Sequence, residues 1–458
     1  MVDVEAVLRA ALGDDRVRVD GAITEDFAHD EALSALPVWP RAVVSPQSTM
    51  DVSAVLRLAD EYRIPVTARG SGSGLSGAAI PSADGVVVAF SGMDRIIEVD
   101  EANHVAVVEP GVRLDQLDEA LSPLGLVYPV RPGELSASIG GTINTNAAGM
   151  RAVKHGVTRH HVLGLEAVLA SGRVIRTGGK IVKVSSGYDL TQLLVGSEGT
   201  LALVTEAHLR LQPRRTKAAT ILAPFLTLDQ VTGSIPAILA TGLQPLILEY
   251  LDLLTMMVIM ARQGIDPGIP DDVRTTALAY LVIQLEGDDD DRLEQDTVRL
   301  GGLLVGELGA MDAYVLPSSV ASDLIMAREH AFFAAKEADA RDVIDVVVPR
   351  AALPDYVREV AAVAQEYSTG IVGCGHAGDG NVHMAVFEAD DERREAIMHR
   401  LLAAGVAMGG AISGEHGIGR QKKRWFQEFE DPVKIDLMRA IKAAFDPNGI
   451  LNPGVIFD

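Results

Sequence analysis

Residues 373–384 read GCGHAGDGNVHM and residues 409–423 read GGAISGEHGIGRQKK. Both segments place imidazoles or a carboxylate among glycines, where little side-chain bulk prevents ligands from converging. Asp379-Gly380 is a favoured two-residue hairpin turn. If it joins two strands, 378 faces 381, 377 faces 382 and His376 faces His383. Directly opposed residues have Cβ atoms ~4.5–5.5 Å apart, which lets two imidazoles share one divalent cation. Glu415 offers a third ligand, and His416 stands beside it. Two histidines and a carboxylate with open positions suit a metal that also binds substrate, whether zinc, iron or manganese. A lone histidine is more often a satisfied core or surface residue, and Glu415-His416 also reads as a turn before a helix. A purely structural role therefore stays open for each.

A second chemistry is suggested by GSGSGLSG at 70–77, where Gly72-Ser-Gly74-Leu-Ser-Gly77 is a literal G-x-G-x-x-G behind an apolar strand. A dinucleotide fold requires a long helix at the end of that motif to hold the pyrophosphate. Pro81 and Gly85 follow within eight residues, and GVVVAF (85–90) is already another strand, so no such helix fits. What is left is a turn of successive N–H groups with serine hydroxyls, a nest able to hold a pyrophosphate without cationic side chains. Alone it reads more readily as a plain glycine turn. Two further small-residue segments, IGGTINTNAAG (139–149) and GSEGTLALVT (196–205), also lie beside strands. Three such loops suggest one extended, flat ligand lying across them.

These motifs sit in an α+β chain. From about 41 to 213, short apolar runs alternate with glycine punctuation: AVV (42–44), a helix over Asp51–Tyr62, PVTAR (65–69), HVAVVEPG (104–111), LGLEAVLA (163–170) and GTLALVTEAHLRL (199–211). QPRRTK (212–217) reads as a linker. Beyond it, strands at 218–226, 245–251, 276–286 and 311–316 alternate with helices, which suggests an antiparallel sheet with helices on one face. Further helices are expected at 318–339, 353–368, 390–406 and 432–445, with FDPNGILNPG as a fixed extended tail. The acidic run Asp288–Asp291 reads as a solvated helix start.

Composition narrows the function. The 458 residues carry 40 Lys+Arg against 63 Asp+Glu, a net charge of −23, which repels a phosphate backbone and argues against a nucleic-acid partner. Cys374 is the single cysteine, so no internal disulfide and no cysteine-held cluster is possible, as fits a reducing compartment. The most apolar window, Leu246–Ala261, is interrupted by Glu249 and Asp252, so no membrane span is expected. The amphipathic start, with Val4, Val7, Leu8, Ala11 and Leu12, reads as a surface helix and not as a targeting peptide. A cytoplasmic location is expected, with peripheral association from the cytoplasmic side of a membrane left open.

The segments PVTARGSGSGLSG, SIGGTINTNAAG and GSEGTLALVTE, in this order and spacing, resemble the FAD-binding domain of the vanillyl-alcohol oxidase/PCMH flavoproteins over about 41–213. The resemblance implies FAD, with its pyrophosphate on Arg69, Gly70, Ser71, Gly72, Ser73, Gly74 and Gly77. It implies an isoalloxazine near Pro132, Gly133, Ser138, Gly140, Gly141, Asn144, Asn146 and Gly149. Glu198, Gly199, Val204 and, in the tail, Asn452 complete the implied cofactor contacts. Ser73 replaces a common threonine, His155-Gly156 a common Tyr-Gly, and Ala202 a common glycine; His155 is not at the usual position of a covalent flavin link.

GHAGDGNVH, ISGEHGIG and FDPNGILNPG together resemble the FAD-linked D-2-hydroxyacid dehydrogenases of the D-lactate dehydrogenase/glycolate oxidase large-subunit type. That resemblance implies His376, His383 and Glu415 as ligands of a divalent metal, His416 as the base and Asn381 as a residue orienting substrate. Arg328, in IMAREHAFF, would pair with the substrate carboxylate, a role that suits a guanidinium fork. Val343 stands where the D-2-hydroxyglutarate branch has a lysine, which favours a monocarboxylate such as D-lactate or glycolate, with D-2-hydroxyglutarate as the alternative. Electrons would pass to an external quinone, cytochrome or electron-transfer flavoprotein. A flavin-binding scaffold subunit without activity is the alternative of another class. The expected architecture is a PCMH-type FAD-binding domain (1–213), an antiparallel-sheet α+β substrate cap (214–414) and a segment returning to the flavin domain (415–458), assembled as a homodimer or hetero-oligomer.

Overall fold

A computed structural model describes residues 3–457, the side chain of Gln263 apart. The chain divides into two compact units. One takes the chain up to Ala147, Val157–Arg214 and the chain from Glu415; the other takes Ala148–Gly156 and Arg215–Gly414. Among the described residues no helix is long and apolar enough to cross a membrane.

In the first unit, Ser48 caps the helix Thr49–Tyr62 by accepting from the Asp51 N–H. The helix buries Val52, Val55, Leu56 and Ala59, and ends where Arg63 turns left-handed at φ 57°. It shares a core with a four-stranded sheet. There Ala42–Val44, Val86–Ala89 and Val66–Arg69 run parallel, in that spatial order, and Val17–Val19 pairs antiparallel with Ala42–Val44. Every residue of Val86–Ala89 is buried, as the unbroken valine run requires of a strand covered on both faces. A second, antiparallel sheet has the order Ile96–Asp100, Val105–Val108, Leu203–Arg210, Val162–Val168, Val174–Gly178.

One segment read as a glycine loop is helical. Ile139–Thr145 forms two turns, capped by Ser138, whose Oγ accepts from the Gly141 N–H at 3.3 Å. Gly140 packs against Pro110: a Cβ there would lie 2.7 Å from the proline Cβ. Its glycine serves close helix packing, a need that the sequence does not separate from loop freedom.

The chain from Glu415 threads back into this unit. Val66 donates to the Ile450 carbonyl at 2.7 Å, and Asn452 donates back to the Val66 carbonyl at 2.7 Å, so Leu451 extends the exposed edge of the parallel sheet. Lys442, on the helix Pro432–Phe445, fixes this tail. Its Nζ donates to the Thr200 carbonyl (2.8 Å), the Leu451 carbonyl (2.8 Å) and Asp446 Oδ2 (2.5 Å). Asp446 also accepts from the Ile450 and Leu451 N–H groups.

The second unit is built on a seven-stranded sheet of the order Tyr314–Leu316, Lys217–Phe225, Ala279–Gly287, Ile247–Asp252, Ile371–Gly375, Asn381–Val386, Asp342–Val347. Every neighbouring pair is antiparallel, as expected beyond the linker. Helices Leu253–Gln263 and Ser318–Glu329 contribute Met256, Ile259, Leu324 and Ala327 to a core with Leu222, Leu251, Val282 and Cys374. The long helix expected at 318–339 breaks at His330, which leaves helical geometry at ψ 9°.

The hairpin between Ile371–Gly375 and Asn381–Val386 differs from the two-residue turn expected. Cys374, and not His376, pairs with His383. Residues 376–380 form the connection, with a 3-10 turn at Ala377–Asp379. The loop is drawn in by packing and hydrogen bonds: Val348 donates to the Gly380 carbonyl at 3.0 Å, and a Cβ on Gly378 would lie 2.3 Å from Val153 Cγ2.

Replacing Lys442 with Met leaves Asp446, whose side chain is fully buried, without its cation. Breaking a buried pair from one side costs about 3–5 kcal/mol. K442M is expected to lower the unfolding free energy from urea titration by an amount in that range, seen as a lower midpoint at unchanged slope; an unchanged midpoint would show that the tail is held by its backbone bonds alone.

Candidate active site

Within the second unit, four strands or their ends converge on the histidines. His376 closes the strand Ile371–Gly375 and is 5% exposed. Its Nδ1 lies 2.6 Å from Oε1 of Glu249, on the neighbouring strand Ile247–Asp252. Glu249 is 1% exposed, and its Oε2 lies 2.7 Å from Nη2 of Arg328, which rises from the helix Ser318–Glu329. One buried carboxylate thus engages both an arginine and a histidine, as burial of its charge demands.

His383 meets His376 edge to face, with ring centroids 4.9 Å apart and planes at 72°. A ring nitrogen of each lies within 4.8 Å of one on the other, so the pair can take a common ion despite not being opposed across the hairpin. His383 Nε2 is 2.7 Å from Asn381 Oδ1, while Asn381 Nδ2 donates to Asp345 Oδ1 (3.1 Å) and the Val346 carbonyl (3.0 Å). The amide orientation is therefore set by its donor side, and its oxygen accepts from the imidazole. Asp345 is fully buried, and also accepts from Ser413 Oγ at 2.6 Å and, through its carbonyl, from the Gly414 N–H at 2.9 Å. Two imidazoles with carboxylate and amide partners behind them fit a divalent cation. Glu249 and Asp345 escaped the sequence reading as site residues. Glu249 had registered only as a charge interrupting an apolar window; a lone carboxylate inside such a strand is itself the signal that a cation or donor must meet it.

Glu415 and His416 open the last segment of the first unit, with both side chains mostly buried and His416 Nε2 3.9 Å from Glu415 Oε1. Ser76 Oγ donates toward the carbonyls of His416 (2.8 Å) and Gly417 (3.0 Å). Glu198 accepts from the Ile418 and Gly419 N–H groups at 2.8 and 2.7 Å. The glycines around His416 are required by these approaches: Gly417 and Gly419 have φ of 82° and 55°, and a Cβ on Gly419 would lie 1.9 Å from the Ser76 carbonyl oxygen. Burial pushes the Glu198 carboxyl up to about 7, even against the two N–H donors.

The turn at 70–77 leaves main-chain donors available. Among the described residues, the N–H groups of residues 71–75 donate to no protein acceptor. No helix follows before the strand Val86–Ala89. Ser71 Oγ donates to the Ser136 carbonyl and accepts from the Ser138 N–H, tying the turn to the helix Ile139–Thr145. A Cβ on Gly70 would lie 1.9 Å from Ser138 Oγ. Arg69 is buried and donates to the His29 carbonyl at 2.7 Å. Ser73 and Gly74 lie on the accessible side of the turn, and Gly77 takes φ 78°.

The asparagines expected beside a flat ring are already engaged with backbone. Asn144 donates to the Gly140 carbonyl (2.7 Å) and accepts from the Gly199 N–H (3.1 Å); Asn146 accepts from the Arg159 N–H (3.0 Å). Asn452 accepts from Thr67 Oγ1 and donates to the carbonyls of Ala78 and Glu198, at 3.1, 2.9 and 2.8 Å. Pro132, Gly133 and Gly141 remain at least partly accessible, Gly140 and Val204 are buried, and Gly149 groups with the second unit.

Residues 40–178 match the family described as FAD binding domain, and residues 214–456 match that described as FAD linked oxidases, C-terminal domain. The chain is 52% identical to an uncharacterized FAD-linked oxidoreductase of Mycobacterium tuberculosis, over 100% of this chain and 99% of that one. It is 38% identical to glycolate oxidase subunit GlcD of Bacillus subtilis (91% and 89% covered) and 38% identical to D-lactate dehydrogenase of Archaeoglobus fulgidus (92% and 93%). Among solved structures, 4-ethylphenol oxidase from Gulosibacter chungangensis superposes with a TM-score of 0.76 at 20% identity, covering 99% of this chain and 96% of that one. This likeness gives the PCMH-type FAD-binding fold expected from the glycine motifs. The FAD-binding match supports FAD as the cofactor.

Because the folded-state carboxyl of Glu198 is raised, its contribution to stability is full below the unfolded value of 4.5 and is lost as pH rises through about 7. Relative to E198Q, the wild type is expected to lose about 3 kcal/mol between pH 4.5 and pH 8. Urea midpoints of both proteins at the two pH values measure this, and any fixed cost of the amide cancels in the comparison. A pH-independent difference would place the carboxylate in an ordinary environment.

Proposed function

The chain belongs to the family of FAD-linked oxidases, and from that premise we propose that it oxidises a small D-2-hydroxy acid to the 2-oxo acid and passes the electrons to an acceptor other than NAD. The observation that carries this reading is the His376–His383 pair backed by Glu249 and Asn381. An electron carrier has no use for paired imidazoles with their own hydrogen-bonded supports. The relatives named D-lactate dehydrogenase and glycolate oxidase support D-lactate or glycolate as the substrate. Val343 in place of a lysine supports a monocarboxylate over D-2-hydroxyglutarate.

When bound, FAD supplies a two-electron acceptor and a divalent cation supplies a Lewis acid. In this proposal His376 and His383 hold the cation, with zinc, iron and manganese all compatible. Glu415, one peptide bond beyond the Gly414 that is anchored to Asp345, is the third ligand. Arg328 presents its guanidinium to the substrate carboxylate; Glu249 takes one part of a group that has five donors. His416 accepts the hydroxyl proton as the α-carbon hydrogen departs with its electron pair. The N–H groups of residues 71–75 bind the FAD pyrophosphate, which needs no cationic side chains there. A quinone, cytochrome or electron-transfer flavoprotein then reoxidises the protein.

Anaerobic mixing with D-lactate or glycolate is expected to bleach the flavin absorbance. H416A should slow that bleaching by at least ~100-fold, the usual worth of a general base; bleaching at the wild-type rate would remove His416 from the role. Stripping the protein with a chelator should likewise stop bleaching until zinc, manganese or ferrous iron is restored. Unchanged turnover in metal-free protein would exclude a metal from the reaction.

A further inference from the structure

Glu249 has no place among the ligands, the base or the substrate contacts above, yet it is a fully buried charge held from both of its oxygens. Its side chain is 1% exposed, its Oε1 lies 2.6 Å from His376 Nδ1, and its Oε2 lies 2.7 Å from Arg328 Nη2. It sits on the central strand Ile247–Asp252, between the strands Ala279–Gly287 and Ile371–Gly375, so its backbone has no freedom to withdraw. We infer that Glu249 is a positioning residue for a metal held by His376: it accepts a hydrogen bond from Nδ1–H, fixes the ring orientation, and directs the Nε2 lone pair to the ion. This inference rests on the metal site proposed above.

The chemistry favours that assignment over a merely structural pair. A neutral imidazole carries one proton and one lone pair, and a hydrogen bond to one nitrogen decides which is which. A carboxylate in that place raises the basicity of the ligating nitrogen and stops the ring from flipping. Arg328 completes the line: its guanidinium fixes the carboxylate's other oxygen, so that the first points at the imidazole. Arg328 thus acts on His376 through Glu249, independently of any contact it makes with substrate. The same logic is repeated with neutral groups on the other ligand, where Asn381 accepts from His383 Nε2 and is itself held by Asp345 and the Val346 carbonyl.

Zinc chloride titration into chelator-stripped, full-length protein, followed by calorimetry, tests this without reference to activity. Glu249→Gln keeps an acceptor oxygen but removes the charge, and zinc affinity is expected to fall 10–100-fold, with the circular dichroism spectrum of the wild type. If E249Q does not fold because Arg328 is left buried without a counter-charge, the double variant E249Q/R328M, which removes both charges, takes its place with the same expected loss. Wild-type affinity in the folded variant would overturn the inference and leave the metal site standing. A wild-type protein that binds none of zinc, manganese and ferrous iron would overturn both.

Discussion

A carboxylate buried among apolar strands is the constraint on which the arrangement of the second unit depends. Glu249 cannot be solvated where it sits, and an isolated charge in such surroundings costs far more than the fold could supply. It must therefore collect partners, and the partners it collects are Arg328 from a helix and His376 from the adjacent strand end. Those demands fix where the helix Ser318–Glu329 lies against the sheet and how the connection at 376–380 leaves its strand. A second buried carboxylate, Asp345, does the same through Asn381, Ser413 and Gly414. The imidazole pair is the product of two such anchors and needs no strand register of its own to form.

The first unit uses backbone where the second uses side chains. Its turn at 71–75 spends no N–H on the protein, and its loops are tied together by amide side chains, Asn144, Asn146 and Asn452, each bonded to main-chain groups. Unspent main-chain N–H groups are the kind of donor that meets an anion without a cationic side chain, which matters in a chain with a net charge of −23.

Much of this was legible in the chain itself, and the misses have physical reasons. The strands with unbroken valine runs and the amphipathic helix at Thr49–Tyr62 follow directly from period and burial. The absence of a dinucleotide helix after Gly77 followed from Pro81 and Gly85. Glycine misled at two places, because the residue type states that a Cβ is excluded and not what excludes it. At Gly140 the excluder is Pro110 under a helix; at Gly378 it is Val153, within a connection (376–380) longer than the two-residue turn that would have opposed His376 to His383. The histidines met regardless, since tertiary anchors and not the turn decide their place. Glu249 was missed because a charge in an apolar window was weighed only for what it ruled out. The amides of Asn144, Asn146 and Asn452 also serve neighbouring backbone, a demand visible only once the loops are side by side.

The tail that pairs with Val66 carries a consequence for how the protein is made. Val66–Arg69 is the edge strand of its sheet, and the segment that covers it lies 385 residues later, at Asn452. At translation rates of about 5–20 residues per second, that edge stays bare for roughly 20–80 s on every nascent chain. An uncovered strand edge is a template for pairing with a neighbouring chain, and many ribosomes read one message side by side. The growing polypeptide is thus most vulnerable not while its core is unformed but while its first sheet waits for its last strand, which makes this interval the one in which a chaperone would matter most.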